Sequence, residues 1–380
     1  MNHRRNNCRV CGSAELSPVI ALAGYPLVAG PVTRVPSTVP TCNLEVGLCH
    51  GCGTYSLLNE DVDKLAYDDN YTSSSIPYGS TKSVDDQTDR FVKFIGRADK
   101  TQESKVLEIG CYDGALMEIL ETRYRFKLLG CEPCVPAADD ARRKGYNVHP
   151  GVFNADNYSD LDLIVARNIL EHIAFPNQFV RGVAASLKQN GAFALEVPAG
   201  EHYIRNGILG TIVPQHPCYF GKDSLKRLLE NHFATVIAED DRATIRALAS
   251  VPCPSNNSKE VVSDITQLRT GERKRQTRYD AVRKIAGDGE VDLFGANTCA
   301  LELIAAGAVM TEQVGRVYDD DPHRWGRYLV NTNLIVSPRS AIGEGERRKV
   351  LVCSYTHRQS IADYIAKQNN VAVKLYGDDE

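Results

Sequence analysis

The chain has 380 residues, enough to bury a large core and to form two or three domains. Hydrophobic residues make up 43% and charged residues 24% of the chain, values typical of a globular protein. No apolar run is long enough to cross a bilayer, so we expect no membrane partner. The formal net charge of −4 offers no general attraction to phosphate backbones, which argues against a nucleic-acid partner.

The first residues, MNHRRNNCRV, are positively charged, but no apolar stretch of the kind found in a secretory signal follows them. We therefore expect a cytoplasmic protein whose twelve cysteines stay reduced. Cysteines in such a protein act as metal ligands or as buried apolar groups rather than as disulfides.

Two cysteine pairs near the N-terminus have the spacing of a metal site. Cys8 and Cys11 form one C-x-x-C pair, Cys49 and Cys52 form another, and a glycine follows each pair. Two such hairpins can place four sulfurs at the corners of a tetrahedron, the geometry that zinc prefers. Because four thiolates leave no position for water, we predict a structural zinc ion without a catalytic role.

Other cysteines are open to different interpretations. Cys42 and His50 lie close to the two pairs in sequence, so the ligand set is not unique. A third C-x-x-C pair, Cys131 and Cys134, follows a predicted strand with no second pair nearby. We expect buried thiols there rather than a redox centre.

Composition divides the chain into four segments. We predict a zinc-binding module over residues 1–60, a Tyr-rich and Ser-rich connector over 61–83, and α/β domains over 84–250 and 251–380. In both segments short β-branched runs alternate with helical stretches, which predicts parallel sheets in an α/β fold, doubly wound in the domain over 84–250. We expect the connector to close over the acceptor as a lid.

Basic residues cluster between the two alternating segments. We interpret this cluster as a solvated helical face without a function. Its members are Arg269, Arg273, Lys274, Arg275, Arg278, Arg283 and Lys284.

The first strand of the alternating block ends in a glycine-containing turn. In KVLEIGCYDGAL the strand ends at Gly110 and a helix begins after Gly114, so backbone can approach a ligand at the carboxyl edge of the sheet. Tyr112 occupies the middle position of the dinucleotide fingerprint, which is therefore absent. The second strand ends at Glu132, which can accept hydrogen bonds from both ribose hydroxyls. Together these features predict a pocket that binds adenosine. Enzymes that use NAD bind adenosine with the same geometry, so the pocket alone does not identify the cofactor.

The chain resembles the zinc-binding sugar C-methyltransferases, which methylate nucleotide-linked keto-deoxysugars with S-adenosylmethionine. This resemblance implies a class I, Rossmann-like methyltransferase domain between the zinc module and a C-terminal α/β domain that binds the nucleotide-linked sugar. It also implies a role in antibiotic, other secondary-metabolite or surface-sugar biosynthesis. The segments that carry it are CRVCG, LAGYPL, CHGCG, NYTSSS, VLEIGCYDGALME, GCEP, NILEHI, FVRGVAASLKQNGAFALEVP, QHPCYF and DDDPHRWGRYL.

The resemblance assigns roles to individual residues. The methionine side of the cofactor would lie against the turn after the first strand, and an acid after the second strand would hold its ribose. The implied cofactor-binding residues are Glu108, Gly110, Asp113, Gly114, Glu132 and Asn168.

Carbon methylation next to a ketone requires removal of an α-proton and stabilisation of the enolate. His216 in PQHPCYF matches the base of the family, and Tyr71 in NYTSSS matches a tyrosine at the oxyanion. His172 in NILEHI would lie near the transferred methyl group. These are the implied catalytic residues.

Several acceptor-side positions depart from the family pattern. Gln215 stands where the family has a carboxylate beside the base, and Arg242-Ala243 stands at a glycine pair. Asn331 replaces another glycine, and GANTCAL lacks the lysine expected after its first two residues. The residues that the resemblance assigns to the cofactor match the family pattern. The departures on the acceptor side therefore indicate a changed acceptor or a changed chemistry.

Two alternative functions stay open. Methylation of oxygen or nitrogen in a different small molecule needs no enolate, so a neutral Gln215 would not matter. A non-catalytic zinc protein that binds a partner or a nucleic acid is supported only by the basic cluster around Arg273. The sequence carries no signal for an oligomeric state.

Overall fold

The computed structural model describes residues 4–28, 30–36, 38–65, 82–252, 266–342, 349–354, 358–367 and 372–374. Three sheets and a two-stranded ribbon organise these residues. In the ranges described, no helix is both long and apolar enough to span a bilayer.

The N-terminal segment is a series of strands. They are β1 (Leu16–Pro26), β2 (Val32–Thr33), β3 (Thr41–Cys49) and β4 (Tyr55–Leu57).

The central segment alternates helices and strands, as predicted. Its helices are α1 (Lys82–Ile95), α2 (Ala115–Tyr124), α3 (Val135–Arg143), α4 (Pro176–Ser186), α5 (Gly200–Arg205) and α6 (Lys222–Glu230). Its strands are β5 (Lys105–Ile109), β6 (Lys127–Glu132), β7 (Asn147–Pro150), β8 (Leu161–Arg167), β9 (Leu187–Pro198), β10 (Cys218–Tyr219), β11 (Phe233–Asp240) and β12 (Thr244–Pro252).

The C-terminal segment alternates in the same way. Its helices are α7 (Thr266–Ala286), α8 (Thr298–Ala305) and α9 (Arg358–Lys367). Its strands are β13 (Val291–Phe294), β14 (Val314–Asp319), β15 (Tyr328–Leu329), β16 (Val336–Pro338), β17 (Lys349–Val352) and β18 (Ala372–Lys374). Short 3-10 helices occupy Asp61–Lys64, Gly96–Ala98, Ala155–Asn157, Leu170–His172, Thr311–Gln313, Pro322–Arg324 and Arg339–Ala341.

The central sheet has seven strands in the spatial order β11-β12-β9-β8-β5-β6-β7. Only β12 runs against its neighbours, so the rest of the sheet is parallel. Val106 on β5 packs with Phe91 of α1 on one face, whereas Leu107 packs on the other. Burial on both faces explains the continuous apolar runs in these strands and confirms the doubly wound fold.

The order of the strands reverses at β5. The chain moves outward from β5 through β6 to β7 and then returns to place β8 on the other side of β5. In open α/β sheets a ligand crevice forms at such a reversal, outside the carboxyl ends of the strands. The predicted cofactor residues lie at or directly after the carboxyl ends of β5, β6 and β8, so the topology brings them to this crevice.

Two further sheets flank the central one. The N-terminal sheet is antiparallel with the order β1-β3-β4-β10, and the C-terminal sheet is parallel with the order β16-β14-β13-β17-β18. Strand β2 pairs with β15. The domain boundaries that we infer from composition stay predictions. Strands β2 and β10 each pair with a strand from a different predicted domain.

Helix α4 is shorter than the sequence predicts. We expect a helix over NQFVRGVAASLKQ, but α4 ends at Ser186 and β9 begins at Leu187. Leu187 pairs with Leu161 of β8. This tertiary pairing outweighs the helix propensity of the Leu-Lys-Gln sequence.

The expectation of a solvated basic face is wrong for two residues of α7. Arg275 is fully buried and Arg278 is 7% exposed. Arg275 forms an ion pair with Glu302 of α8 and donates to the carbonyl of Ile208 at 3.0 Å. Arg278 donates to the carbonyl of Gly207 at 2.7 Å. These contacts join the C-terminal segment to the loop after α5.

We expect Arg275→Ala to lower the free energy of unfolding by about 3–5 kcal/mol, because it leaves the buried Glu302 carboxylate without its ion partner. Arg273→Ala on the exposed side of the same helix is the matched control and should change it by less than about 0.5 kcal/mol. Chemical denaturation measures both values. Equal stabilities of the two variants would contradict the assigned role of Arg275.

Candidate active site

The turn after β5 has a backbone that favours glycine. Gly110 has φ +73° and Gly114 has φ +79°, both in the left-handed region. A Cβ atom on Gly110 would lie 2.1 Å from Cδ1 of Ile169, the second residue after β8. Glycine therefore lets the two strand ends approach each other at the floor of the crevice.

Glu132 lies at the end of β6 and links two turns. Its carboxylate accepts from the backbone N–H of Tyr112 at 3.0 Å and of Cys134 at 2.8 Å. Burial raises the pKa of this carboxyl, and the two N–H donors oppose that shift. Each oxygen keeps a second lone pair that a ribose hydroxyl could use. The position and chemistry of Glu132 therefore fit an adenosine ligand.

Glu108 is buried beneath the same turn. Its Oε2 atom has no hydrogen-bond partner among the described residues. Burial raises the pKa of the carboxyl well above its usual range, and the nearby Arg167 opposes that shift. An orphaned buried oxygen is costly unless a donor completes it. The ammonium group of a methionine moiety is such a donor, so this pocket fits S-adenosylmethionine.

Asp113 lies on the rim of the crevice. Its Oδ1 atom accepts from the backbone N–H of Ala115 at 3.1 Å, at the first turn of α2. Its Oδ2 atom lies 3.5 Å from Lys144 Nζ. The side chain thus stabilises the start of the helix that faces the crevice.

Asn168 follows β8 directly and is held by a buried ionic network. It has φ +53°, and its backbone N–H donates to the carbonyl of Glu196 at 2.8 Å. The Glu196 carboxylate is buried between Arg167 at 2.9 Å and Arg246 at 2.7 Å. Because every member of this group has a charged partner, the strand end that carries Asn168 is rigid.

His172 and His216 meet edge to face, with ring centroids 4.6 Å apart and planes at 79°. Nδ1 of His172 lies 2.8 Å from the backbone carbonyl of Gln215. Since a carbonyl only accepts, Nδ1 carries the proton and Nε2 holds the lone pair of the neutral ring.

Burial makes both histidines weak bases. It lowers the pKa of His172 to about 4, with the Gln215 bond acting in the opposite direction. Burial and the adjacent His172 lower the pKa of His216 well below 6.5. Both rings are therefore neutral at pH 7 and can accept a proton.

Glu171 is a site residue that the sequence analysis missed. It precedes His172 in the 3-10 turn Leu170–His172 and is 3% exposed. One ligand atom of Glu171 lies within 4.8 Å of one from each of His172 and His216. Burial raises its pKa to about 8. Its only signal in the sequence is its place beside His172 in NILEHI.

The loop that carries His216 is held by the N-terminal sheet. Cys218 of β10 pairs with Ser56 of β4, and the carbonyl of Pro217 accepts from the N–H of Leu57 at 2.9 Å. The N-terminal module therefore helps to position a predicted catalytic residue.

The structure describes some of the other acceptor-side positions and not others. Tyr71 and most of the predicted connector lie outside the described residues. Arg242 and Asn331 have φ +71° and +59°, so each adopts a backbone that glycine would adopt more readily. The Asn331 amide also accepts from the N–H of Val39 at 2.7 Å and donates to its carbonyl at 3.2 Å. These two departures thus leave glycine-like turns in place.

The sulfurs of Cys8, Cys11, Cys49 and Cys52 lie within 4.8 Å of one another. The Cys8–Cys52 and Cys11–Cys49 separations are 3.6 and 3.5 Å, near the roughly 3.8 Å expected for tetrahedral zinc with Zn–S bonds of about 2.3 Å. The glycines after the two pairs both have φ +76° and close tight turns. This donor set could hold zinc.

The remaining cysteines are separate from this group. Cys42 is buried in the core of the N-terminal sheet, and His50 Nε2 lies 2.8 Å from the hydroxyl of Ser17. Neither joins the four sulfurs. Cys131 and Cys134 are both buried, as predicted.

Comparison with known proteins now decides the class of enzyme. A family model described as a methyltransferase domain matches residues 81–238, which contain the crevice. The chain is an S-adenosylmethionine-dependent methyltransferase. Its sequence resemblance to the sugar C-methyltransferases agrees with this class of enzyme. The alternative of a non-catalytic zinc protein therefore falls away.

This methyltransferase is similar along most of its length to the C-methyltransferase NovU of Streptomyces niveus. The two are 26% identical, and the alignment covers 89% of this chain and 87% of NovU. A Haloferax volcanii methyltransferase complex with the activator Trm112 has a TM-score of 0.38 at 14% identity, covering 46% of this chain and 95% of that chain. The PH0226 protein of Pyrococcus horikoshii has a TM-score of 0.38 at 15% identity, covering 45% and 92%.

We expect Gly110→Ala to weaken S-adenosylmethionine binding at least tenfold, because the added Cβ displaces Ile169 and Asn168 from the floor of the crevice. Calorimetry measures the affinity. Gly326→Ala is the matched control, since Gly326 has the same φ of +73° but no atom within 4 Å of the added Cβ. Unchanged cofactor affinity in folded Gly110→Ala protein would contradict this account of the turn.

We expect purified protein to contain one zinc per chain and Cys49→Ala to lose it, because three thiolates no longer close the shell. Elemental analysis gives the metal content, and thermal melting should show a lower Tm for the variant. Cys42→Ala removes a buried cysteine outside the cluster and should keep its zinc. Zinc loss in both variants would show that the ligand assignment is wrong.

Proposed function

We propose that this methyltransferase transfers a methyl group to a carbon next to the ketone of a nucleotide-linked keto-deoxysugar. The observation that carries the proposal is the neutral His216 ring, which lies beside His172 in a chain similar to a C-methyltransferase. Because the ring is neutral at pH 7, its lone pair can take an α-proton, and the fixed position of the substrate would offset the lowered basicity that burial causes. The pathway class would be the biosynthesis of antibiotics or other secondary metabolites.

The crevice between β5 and β8 would hold S-adenosylmethionine, which supplies an electrophilic methyl group when bound. Glu132 would accept from the ribose hydroxyls, and Glu108 would face the ammonium group of the methionine portion. The turn from Gly110 to Gly114, with Asp113, would line the methionine side. Asn168 would complete the pocket near the methyl group. These roles combine the geometry of the crevice with the family resemblance.

His216 would take the α-proton onto its ring nitrogen while the electrons of the C–H bond move into the enolate. Tyr71 would donate a hydrogen bond to the developing oxyanion, a role that rests on the resemblance alone. His172 would pack against the base through the edge-to-face contact, with its own tautomer set by Gln215. Proximity and fixed orientation lower the barrier for the transfer that follows.

The C-terminal domain would bind the nucleotide of the acceptor. Its first strand, β13, is followed by Gly295 with φ +112°, and α8 begins three residues later, directly after Asn297. Asp319 at the end of β14 accepts from the backbone N–H of Ala296 at 2.7 Å. A glycine turn beside an acid on the next parallel strand is typical of nucleotide sites. Binding energy from the nucleotide could then be used at the sugar carbon.

The zinc ion would be structural, since four thiolates leave no open position. It would fix the hairpin between β3 and β4, which in turn pairs with the strand after His216. Reduced thiolates of this kind fit a cytoplasmic enzyme.

A second candidate is methylation of oxygen or nitrogen on another small molecule. Gln215 favours it, because an amide replaces the carboxylate that the family places beside its base. An acceptor that is already nucleophilic needs only modest help from His216.

The test incubates the protein with isotopically labelled S-adenosylmethionine and a panel of nucleotide-linked 4-keto sugars, and mass spectrometry identifies the products. In a parallel reaction in D₂O without cofactor, the wild type should exchange deuterium into the α-position of the accepted sugar. A methyl group on oxygen or nitrogen, without exchange at carbon, would support the second candidate and contradict the first.

We expect His216→Asn to abolish this exchange and to lower carbon methylation by about 10²–10⁴-fold, the usual contribution of a general base. His232→Asn is the matched control, because His232 bonds to Asn177 and does not belong to the group formed by Glu171, His172 and His216. Unimpaired exchange in His216→Asn would remove the proposed role of this residue.

A further inference from the structure

A second group of metal-ligand side chains lies beside the crevice, apart from the four cysteines. One ligand atom from each of Glu171, His172 and His216 lies within 4.8 Å of the others. The carboxyl is fully buried, whereas the two largely buried imidazoles keep some exposed surface. An ion could therefore reach the group through the exposed edges of the imidazoles and meet the buried carboxyl behind them.

We propose that Glu171, His172 and His216 bind one divalent transition-metal ion at a site distinct from the four-cysteine cluster. Two imidazoles and one carboxylate form a ligand set that suits Zn²⁺, Co²⁺ and related ions. Three protein ligands leave at least one coordination position for water or another ligand.

The second shell of this site is already in place. A histidine that ligates a metal almost always donates its other ring N–H to a carbonyl or carboxylate. Nδ1 of His172 lies 2.8 Å from the carbonyl of Gln215, which leaves the lone pair on Nε2. The carbonyl that supplies this contact belongs to the residue directly before His216, so one backbone segment orients both imidazoles.

The buried carboxyl favours the binding of a cation. Glu171 is 3% exposed, and its Oε2 atom has no hydrogen-bond partner among the described residues. An unpaired carboxyl oxygen in such a place is costly, and a bound cation would remove that cost. Metal bonds of about 2.1 Å place tetrahedral ligands about 3.4 Å apart, so side-chain rotations that bring the three groups closer would complete the shell.

An ion at this site would inhibit the enzyme. A metal bond uses the same lone pair of His216 that proton removal requires, so the loaded site could not form the enolate. This consequence rests on the proposed function, whereas the binding of the ion does not.

The test titrates Co²⁺ into the full chain, with zinc already in its cysteine site, by calorimetry and visible spectroscopy. We expect one additional ion per chain, with d–d bands that lack thiolate charge-transfer absorption. Glu171→Gln, which keeps the shape of the side chain, should weaken Co²⁺ binding at least tenfold. His172→Asn should do the same if its melting curve shows a folded protein. His232→Asn is the control and should bind Co²⁺ like the wild type.

The proposal is overturned if no second ion binds, or if folded Glu171→Gln binds Co²⁺ as tightly as the wild type. No acceptor is present in this titration, so its outcome is independent of the substrate. Co²⁺ binding, together with no carbon methylation in a product assay run without added Co²⁺, would refute the proposed function alone. Carbon methylation without a second ion would refute the metal site alone.

Discussion

The arrangement of the active site depends on the pairing of two very short strands, β4 and β10, which are far apart in sequence. Cys49 ends β3, and Cys52 lies just before β4, so the four-cysteine cluster determines the shape of the hairpin on which β10 rests. His216 precedes β10 by two residues. A cluster without catalytic chemistry of its own thereby sets where a predicted base lies relative to the cofactor crevice.

Much of the fold and of the cofactor crevice could be predicted because their signals are local. Gly110 must adopt a left-handed backbone, Glu132 must end a strand, and both requirements leave a mark within a few residues. The paired cysteines are equally local, since ligand spacing follows from a single turn. Parallel topology then brings the carboxyl ends of β5, β6 and β8 to one edge of the sheet, because parallel strands joined through helices all end at the same edge.

The features that escaped prediction arise from contacts between distant residues. Arg275 belongs to a basic run that reads as solvent-exposed, and only its partner Glu302 on another helix explains its burial. In the sequence Glu171 cannot be told from an ordinary acidic residue, because His216 lies on a separate loop and only the fold brings the two side chains together. Leu187 begins a strand because Leu161 is available to pair with it. A single sequence does not show which distant residues meet, so in each case the neighbouring residues alone do not lead to the right prediction.

The contact between Asn331 and Val39 joins positions 292 residues apart, and the ribbon of β2 with β15 lies beside it. During synthesis the segment around Val32 therefore emerges long before the chain that completes its hydrogen bonds. Strand β2 therefore stays without its partner until β15 has been made. Long-range pairings of this kind slow folding. In this ribbon β2 is synthesised early but forms its hydrogen bonds late.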